Sequence, residues 1–324
     1  MYPFWMRFYS IYKFFVMRRL CRKHGSFSAG NAFGPRAGEP PLLSAVLVAD
    51  LHTDGDPARD RNVVLTRLFA GVAKRTPKAD ALIVAGDITN AANYREYGNL
   101  EGMLGIFRPA KRLLASSGNH DVGGGTSDDR DYGVSMRRYY EFCGRCGFKT
   151  DKPYATARIG GYLFVVIGSE ARLNDCAKLT DTQLTWLDGV LKAAEGEGKP
   201  VFLIGHQAIG GTHGTSESAD DARTVGEASR ALRAVIETHT AAGLTLLYVS
   251  GHMHADFSAR SFENPSPGFY CLNLPSALYS AGGGRGVCIE VSADAVRLYA
   301  RDLIAGVWLP QTWEIPLGRR KREE

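Results

Sequence analysis

The chain has 324 residues, 44% apolar and 23% charged, a composition of the soluble globular class and long enough to bury a sizeable core. Its net charge of +5 is unevenly placed: residues 1–38 carry seven Lys or Arg and no acid, which leaves 32 basic against 34 acidic groups in the remainder. A slightly acidic body whose one other basic cluster is Arg319, Arg320, Lys321 and Arg322 argues against general nucleic-acid binding.

The first segment, residues 1–24, is aromatic and basic, and residues 4–23 are its candidate membrane-contact stretch. Arg7 and Lys13 keep every apolar run far short of the ~20 residues a membrane span requires, and no small-residue cleavage site follows promptly. Drawn as a helix, Phe4, Phe8, Ile11, Tyr12 and Phe15 share one side and Lys13 points away, as in an interfacial helix resting on anionic lipid. The alternatives are an arm packed on the protein's own surface or on a partner, or a translation start assigned too far upstream. The expected location is cytoplasmic, with any membrane contact peripheral and made through this segment. A Gly-, Ser- and Pro-rich stretch follows and reads as a linker over residues 25–41. The main domain is expected over residues 42–318, with a charged tail at 319–324.

Within the domain, short apolar runs at Leu42–Ala49, Ala81–Ala85, Tyr162–Ile167, Val201–Ile204 and Leu244–Val249 suit strands buried on both faces. Helical patterns at Asn62–Lys74, Thr182–Ala194 and Glu227–Thr238 lie between them, so strand alternates with helix in an α/β chain. From Phe257 onward the strands are closely spaced without helices, at Phe269–Leu274, Gly286–Val291 and Ala295–Ala300, and predict an added antiparallel section. No repeat of solenoid length interrupts the pattern.

Six cysteines at 21, 143, 146, 176, 271 and 288 include one Cys-x-x-Cys pair and no second pair that would complete a four-cysteine zinc site. Cys143 and Cys146 follow an apparent helix, Met136–Phe142, rather than precede one, so they read as ordinary thiols in a reducing compartment.

The polar signatures fall at the ends of the strand runs. Asp50-x-His52 follows the first, Gly86-Asp87 the second, Gly205-His206 a later one and Gly251-His252-Met253-His254 the next, with Gly118-Asn119-His120-Asp121 between. In an open α/β sheet these ends form the ligand crevice, so the loops converge on one site. Each signature alone is weak, but five of the eight histidines lie in them.

This ordered set, spread over roughly residues 42 to 256, closely resembles the calcineurin-like metallophosphoesterase superfamily. The resemblance implies a four-layer α/β/β/α sandwich with two central mixed β-sheets. It also implies two divalent metal ions: Asp50, His52 and His254 on the first, Asn119, His206 and His252 on the second, and Asp87 bridging both. Two divalent cations against two carboxylates leave about +2, or about +1 with a bridging hydroxide, which suits a phosphate anion. Oxygen and imidazole donors without thiolate favour Mn, Fe or Zn. The implied activity is hydrolysis of a small phosphate ester by the bridging hydroxide, with His120 as proton donor to the leaving group. Asp121 is expected either to orient His120 or to cap the following turn.

Two absences narrow the subfamily. Ile88-Thr89-Asn90 after Asp87 lacks the Asp-Arg pair of the protein Ser/Thr phosphatases, and Asn90 stands where the purple acid phosphatases place a Tyr ligand. The chain looks more like the compact bacterial branch that includes class III cyclic-nucleotide phosphodiesterases. Gln207, where many members carry a second His, departs from that pattern and is a candidate substrate contact, so phosphodiester and phosphomonoester both stay open. The loops Ile209–Val225 and Ser276–Gly286 are candidate pocket rims, the second alternatively a hairpin connection. His213, in the first, reads as an exposed loop histidine or a substrate contact. His24 and His239 have no functional context. The rival of another class is a non-catalytic scaffold, which would be expected to lose ligands.

Overall fold

Runs that are apolar without alternation become strands covered on both sides. The computed structural model describes residues 4–25, 32–124, 131–279 and 283–318, with side chains from Phe15 onward. Its elements are α1 (Phe4–Gly25), β1 (Leu43–Val48), α2 (Asp60–Val72), β2 (Ala79–Ala85), α3 (Tyr94–Phe107), β3 (Ala110–Ser116), α4 (Tyr132–Arg145), β4 (Ala155–Ile159), β5 (Tyr162–Val166), α5 (Asp181–Ala194), β6 (Val201–Ile204), α6 (Ser229–Ala241), β7 (Leu246–Ser250), β8 (Phe262–Ser266), β9 (Phe269–Asn273), β10 (Arg285–Val291), β11 (Ala295–Asp302) and β12 (Val307–Pro316).

The strands form two six-stranded mixed sheets, ordered β12-β11-β10-β1-β2-β3 and β4-β5-β6-β7-β9-β8. β1, β2 and β3 run parallel in the first; β5, β6, β7 and β9 run parallel in the second. The period of two along each strand assigns its side chains to separate cores. In β5, Phe164 and Val166 join the core between the sheets, whereas Leu163 and Val165 join the one beneath α5 and α6. β6 divides Phe202 and Ile204 from Val201 and Leu203, and β7 divides Leu247 and Val249 from Leu246 and Tyr248. With α2, α3 and α4 over the first sheet, the result is the expected α/β/β/α sandwich.

The added antiparallel section expected after Phe257 is present and is divided between the two sheets. β8 and β9 complete the second sheet, where β9 is parallel to β7, and β10 to β12 extend the first. Four strands escaped the sequence pattern because they carry weak apolar runs. In β3, for example, Lys111 and Arg112 are exposed on a sheet edge, where charge blunts pairing with other chains.

The stretch read as a linker is packed against the domain over its described part. Phe33 is buried between the Arg301 guanidinium, 3.8 Å from its ring centre, and the edge of Trp308. The backbone N–H groups of Arg36 and Ala37 donate to the buried Glu290 carboxylate, which also pairs with Arg75 at 3.1 Å. α1 docks on α2 and α3 through the buried Met17 and Cys21, while Phe15, Arg18, Arg19, Arg22 and Lys23 face outward. The other aromatic positions expected to meet lipid, Phe4 to Tyr12, lie outside the described side chains. Among the described residues no helix is long and apolar enough to cross a membrane.

Cys143 and Cys146 are free thiols at the end of α4. Burial raises both, Cys146 to about 12, which keeps them protonated and unreactive at neutral pH.

Candidate metal centre

All seven candidate ligands lie just beyond strand ends: Asp50 and His52 after β1, Asp87 after β2, Asn119 after β3, His206 after β6, and His252 and His254 after β7. Because β1 to β3 are parallel within one sheet and β6 and β7 within the other, both sheets open their carboxyl edges onto one crevice. The glycines of the signatures are there for close approach. A Cβ on Gly118 would overlap the Asp87 carboxylate and backbone, and one on Gly86 would overlap the His206 ring. Five ligands are held in left-handed backbone conformations, with φ of 56° at Asp50, 39° at His52, 47° at Asp87, 69° at His252 and 50° at His254. Such residues are uncommon outside glycine and cluster at functional sites.

The donors form two groups that share Asp87. Asp50, His52, Asp87 and His254 make one and Asp87, His206 and His252 the other, with ligand atoms within 4.8 Å of one another in each group. His52 Nε2 and His254 Nε2 are 3.1 Å apart, and His254 Nε2 is 3.0 Å from Asp50 Oδ1. In the second group His206 Nε2 stands 3.2 Å from Asp87 Oδ2 and 3.1 Å from Asn119 Oδ1. Asn119 is fixed in that orientation because its amide nitrogen donates to Asn174 O.

Backbone carbonyls set which imidazole nitrogen faces the centre. His206 Nδ1 donates to Ala85 O at 2.8 Å, leaving Nε2 inward, and His252 Nε2 donates to Ala222 O at 3.0 Å, leaving Nδ1. The His252 backbone N–H donates to both Asp50 carboxylate oxygens, which ties the loop after β7 to the loop after β1.

Burial alone would raise Asp87, but His206, His52 and His120 around it hold its carboxyl well below the usual range. The same pairing acts on His206. Burial opposes its charge, yet Asp87 and Asp50 lift it to about 9. His52 moves the other way, down to about 4, because burial outweighs its carboxylate neighbours. Burial and the nearby His206 likewise lower His252.

His120 stands beside this cluster. Its ring packs edge-on to His52 with centroids 4.7 Å apart, its backbone N–H donates to Asp87 Oδ1, and its Nδ1 donates to Asn90 O at 2.6 Å. Asp121 does not orient that ring. Its fully buried carboxylate accepts from the backbone N–H of Ile88, Thr89 and Gly118 and from the hydroxyls of Thr89 and Tyr97. It therefore fastens the loop carrying Asp87 to the loop carrying Asn119, and Asn90 does the orienting instead.

Other expectations change as well. Gln207 is buried and its amide donates to Asp175 O, so it braces a loop rather than facing the centre. His213 is buried, not exposed, with its Nδ1 donating to Arg260 O and its backbone N–H to Glu263. Both rim loops reach the site: Ala222 of the first accepts from His252, and Ser276 of the second donates to Asp50 O. Sequence reasoning passed over Tyr279, whose ring lies 5.0 Å from His254 and 5.5 Å from His52. It also passed over Arg61, which donates to Asn90 Oδ1 at 2.6 Å. Neither carries a motif, and the carbonyls of Ala85, Asn90 and Ala222 have no sequence signal at all.

The donor set fits divalent ions. Oxygen and imidazole donors converge, buried except for the half-buried His252 and the exposed His254, with the inward nitrogen of His206 and His252 selected by backbone carbonyls, and the two carboxylates bring charge that cations would neutralise. Two outcomes follow. His206 at about 9 is protonated at pH 7 in the metal-free protein, whereas coordination requires the free nitrogen. Titrating Mn²⁺ at pH 7 in buffers of different ionisation enthalpy is expected to release about one proton per chain or more, fading as pH rises through 9; binding without proton release contradicts the assignment. Replacing Asp121 by Ala strips three buried N–H donors of their acceptor. Denaturant unfolding should show a loss of roughly 3 kcal/mol and Mn²⁺ titration an affinity about 10- to 100-fold weaker. Wild-type values of both would exclude the fastening role.

Comparison with known proteins agrees with the fold. A dimetal phosphatase from Danio rerio superposes with a TM-score of 0.60 at 14% identity, over 86% of this chain and 100% of that one. GAP50, the anchor in the inner membrane complex of Plasmodium, gives 0.50 at 12% identity over 86% and 90%. These likenesses establish the fold. Among curated proteins none matched the sequence. The calcineurin-like phosphoesterase profile matches residues 43–256, a span that encloses all seven donors together with His120 and Asp121, and the chain belongs to that family.

Proposed function

We propose that the protein is a dinuclear metal-dependent phosphoesterase that hydrolyses a phosphodiester or small phosphomonoester. The observation that carries the reading is Asp87, which belongs to both donor groups and so places two cation sites side by side. Asp50, His52, Asp87 and His254 would hold one ion, and Asp87, Asn119, His206 and His252 the other. The donor chemistry favours Mn²⁺, Fe²⁺ or Zn²⁺. Such ions would polarise the phosphoryl oxygens and make a nearby water more acidic.

The chain's own residues supply the rest. With two buried carboxylates set against two divalent ions, the site would retain about +2, an environment for a phosphate anion. Water attacks phosphorus as the bond to the leaving oxygen breaks, and the leaving oxygen needs a proton. His120 is placed to give it: Nδ1 is anchored on Asn90 O, so Nε2 is the atom that carries the transferable proton. Asp121 and Asn90 act through others, by holding the loops and the ring.

Cyclic nucleotides fall within the phosphodiester class, but the side chain at Gln207 is turned to Asp175 O and adds nothing in their favour. A non-catalytic scaffold is the rival reading, and the complete donor set stands against it.

The test is hydrolysis of bis-p-nitrophenyl and p-nitrophenyl phosphate by Mn²⁺-loaded protein. Asp87→Ala should abolish both metal loading and turnover. His120→Ala should keep its metals and lose about 10²- to 10⁴-fold in rate, most with poor leaving groups. Absence of turnover with metal demonstrably bound would support the scaffold, and an empty site in His120→Ala would refute the proton-donor role.

A further inference from the structure

The leaving-group side of the centre has a cation that the reaction described above does not use. Arg61, in the first turn of α2, donates from Nη1 to Asn90 Oδ1 at 2.6 Å, and Asn90 O accepts from His120 Nδ1 at 2.6 Å. One residue thus anchors both the proton donor and a guanidinium. The guanidinium carbon also lies 5.7 Å from the ring centre of Tyr279, and that ring packs against His254 and His52. Tyr279 is 48% exposed, so the pair stands at the mouth of the site rather than in its wall.

The charge on Arg61 is what calls for a ligand. Among the described residues no carboxylate pairs with it; an amide oxygen and an aromatic face hold it, and neither neutralises a cation. Among the described residues several other arginines have a carboxylate partner, Arg145 with Glu101, Arg223 with Asp221 and Arg297 with Asp294 and Glu314, whereas Arg172 and Arg301 are held by backbone carbonyls inside the fold. A half-buried guanidinium without a carboxylate partner, at the mouth of a centre that would itself be positive, offers a place for negative charge beyond that of one phosphoryl group. Planar Arg donors are suited to a carboxylate or phosphate in two-point contact.

We infer that Arg61, steadied by Tyr279, is the receptor for a second oxyanion on the leaving-group side, so that the preferred substrates carry a phosphate or carboxylate beyond the scissile phosphoryl group. This rests on the phosphoesterase reading, since it takes the first phosphoryl group to sit at the two cations.

The test is calorimetric binding of methylphosphonate, phosphonoacetate and methylenediphosphonate to the Mn²⁺-saturated full chain. Wild type, Arg61→Ala, Arg61→Lys and Tyr279→Leu are compared at one fixed Mn²⁺ concentration, so that chelation in solution is common to all and cancels. Wild-type protein should prefer a probe with two oxyanion groups, phosphonoacetate or methylenediphosphonate, to methylphosphonate, which has one. That preference should fall about tenfold or more in Arg61→Ala and recover in part in Arg61→Lys, with Tyr279→Leu between. A drop confined to methylenediphosphonate identifies the second group as phosphate, and one confined to phosphonoacetate as carboxylate. An unchanged preference in Arg61→Ala, with metal occupancy and thermal unfolding like wild type, overturns the inference alone. Failure of wild-type protein to bind methylphosphonate contradicts the phosphoesterase reading, and this inference with it.

Discussion

Asp87 is the point through which both halves of the fold meet. Its carboxylate is buried at the end of a first-sheet strand and faces His52 from the same sheet and His206 from the other. It is the residue that belongs to both donor groups, with Asp50 Oδ1 also 4.0 Å from His206 Nε2. The surroundings are arranged to keep it there: Gly118 leaves room for its oxygens, the His120 backbone N–H donates to it, and Asp121 secures the loops on either side. Buried charge of this kind is tolerated only where it is paired or bound to metal.

The backbone tells the same story. Left-handed conformations at Asp50, His52, Asp87, His252 and His254 each cost on the order of 1 kcal/mol or more. Local sequence preference does not choose them, although Asp and His tolerate the region better than most. They persist because the strands behind are rigid and doubly buried, and because each turn is tied to its neighbour, as the His252 N–H is to Asp50. The fold stores unfavourable geometry at the strand ends that a pair of bound cations would make productive.

Much of this was legible in the sequence, for identifiable reasons. Val201–Ile204 and its like could be read as strands because both faces are buried and the apolar signal is undiluted. β3 and β12 could not, since exposed Lys111 and Arg112 break the pattern in the first and Pro310, Gln311 and Glu314 in the second. The ligands were visible because they lie in fixed order at strand ends, and the glycines beside them mark close packing. Roles that depend on direction were not visible. Asp121 faces three backbone N–H groups rather than His120, His213 faces a carbonyl inside the fold, and Gln207 faces Asp175 O. Arg61 looked like any charged residue at a helix start, and only its distances to Asn90 and Tyr279 distinguish it.

The central claim is that Asp87 joins two cations in one centre. Electron paramagnetic resonance of the full chain loaded with Mn²⁺, with metal content measured on the same sample, tests it most directly. About two Mn²⁺ per chain with the exchange-coupled spectrum of ions roughly 3.5 to 4 Å apart is the predicted result. A single Mn²⁺ per chain, or two that give only the spectrum of isolated ions, would contradict it.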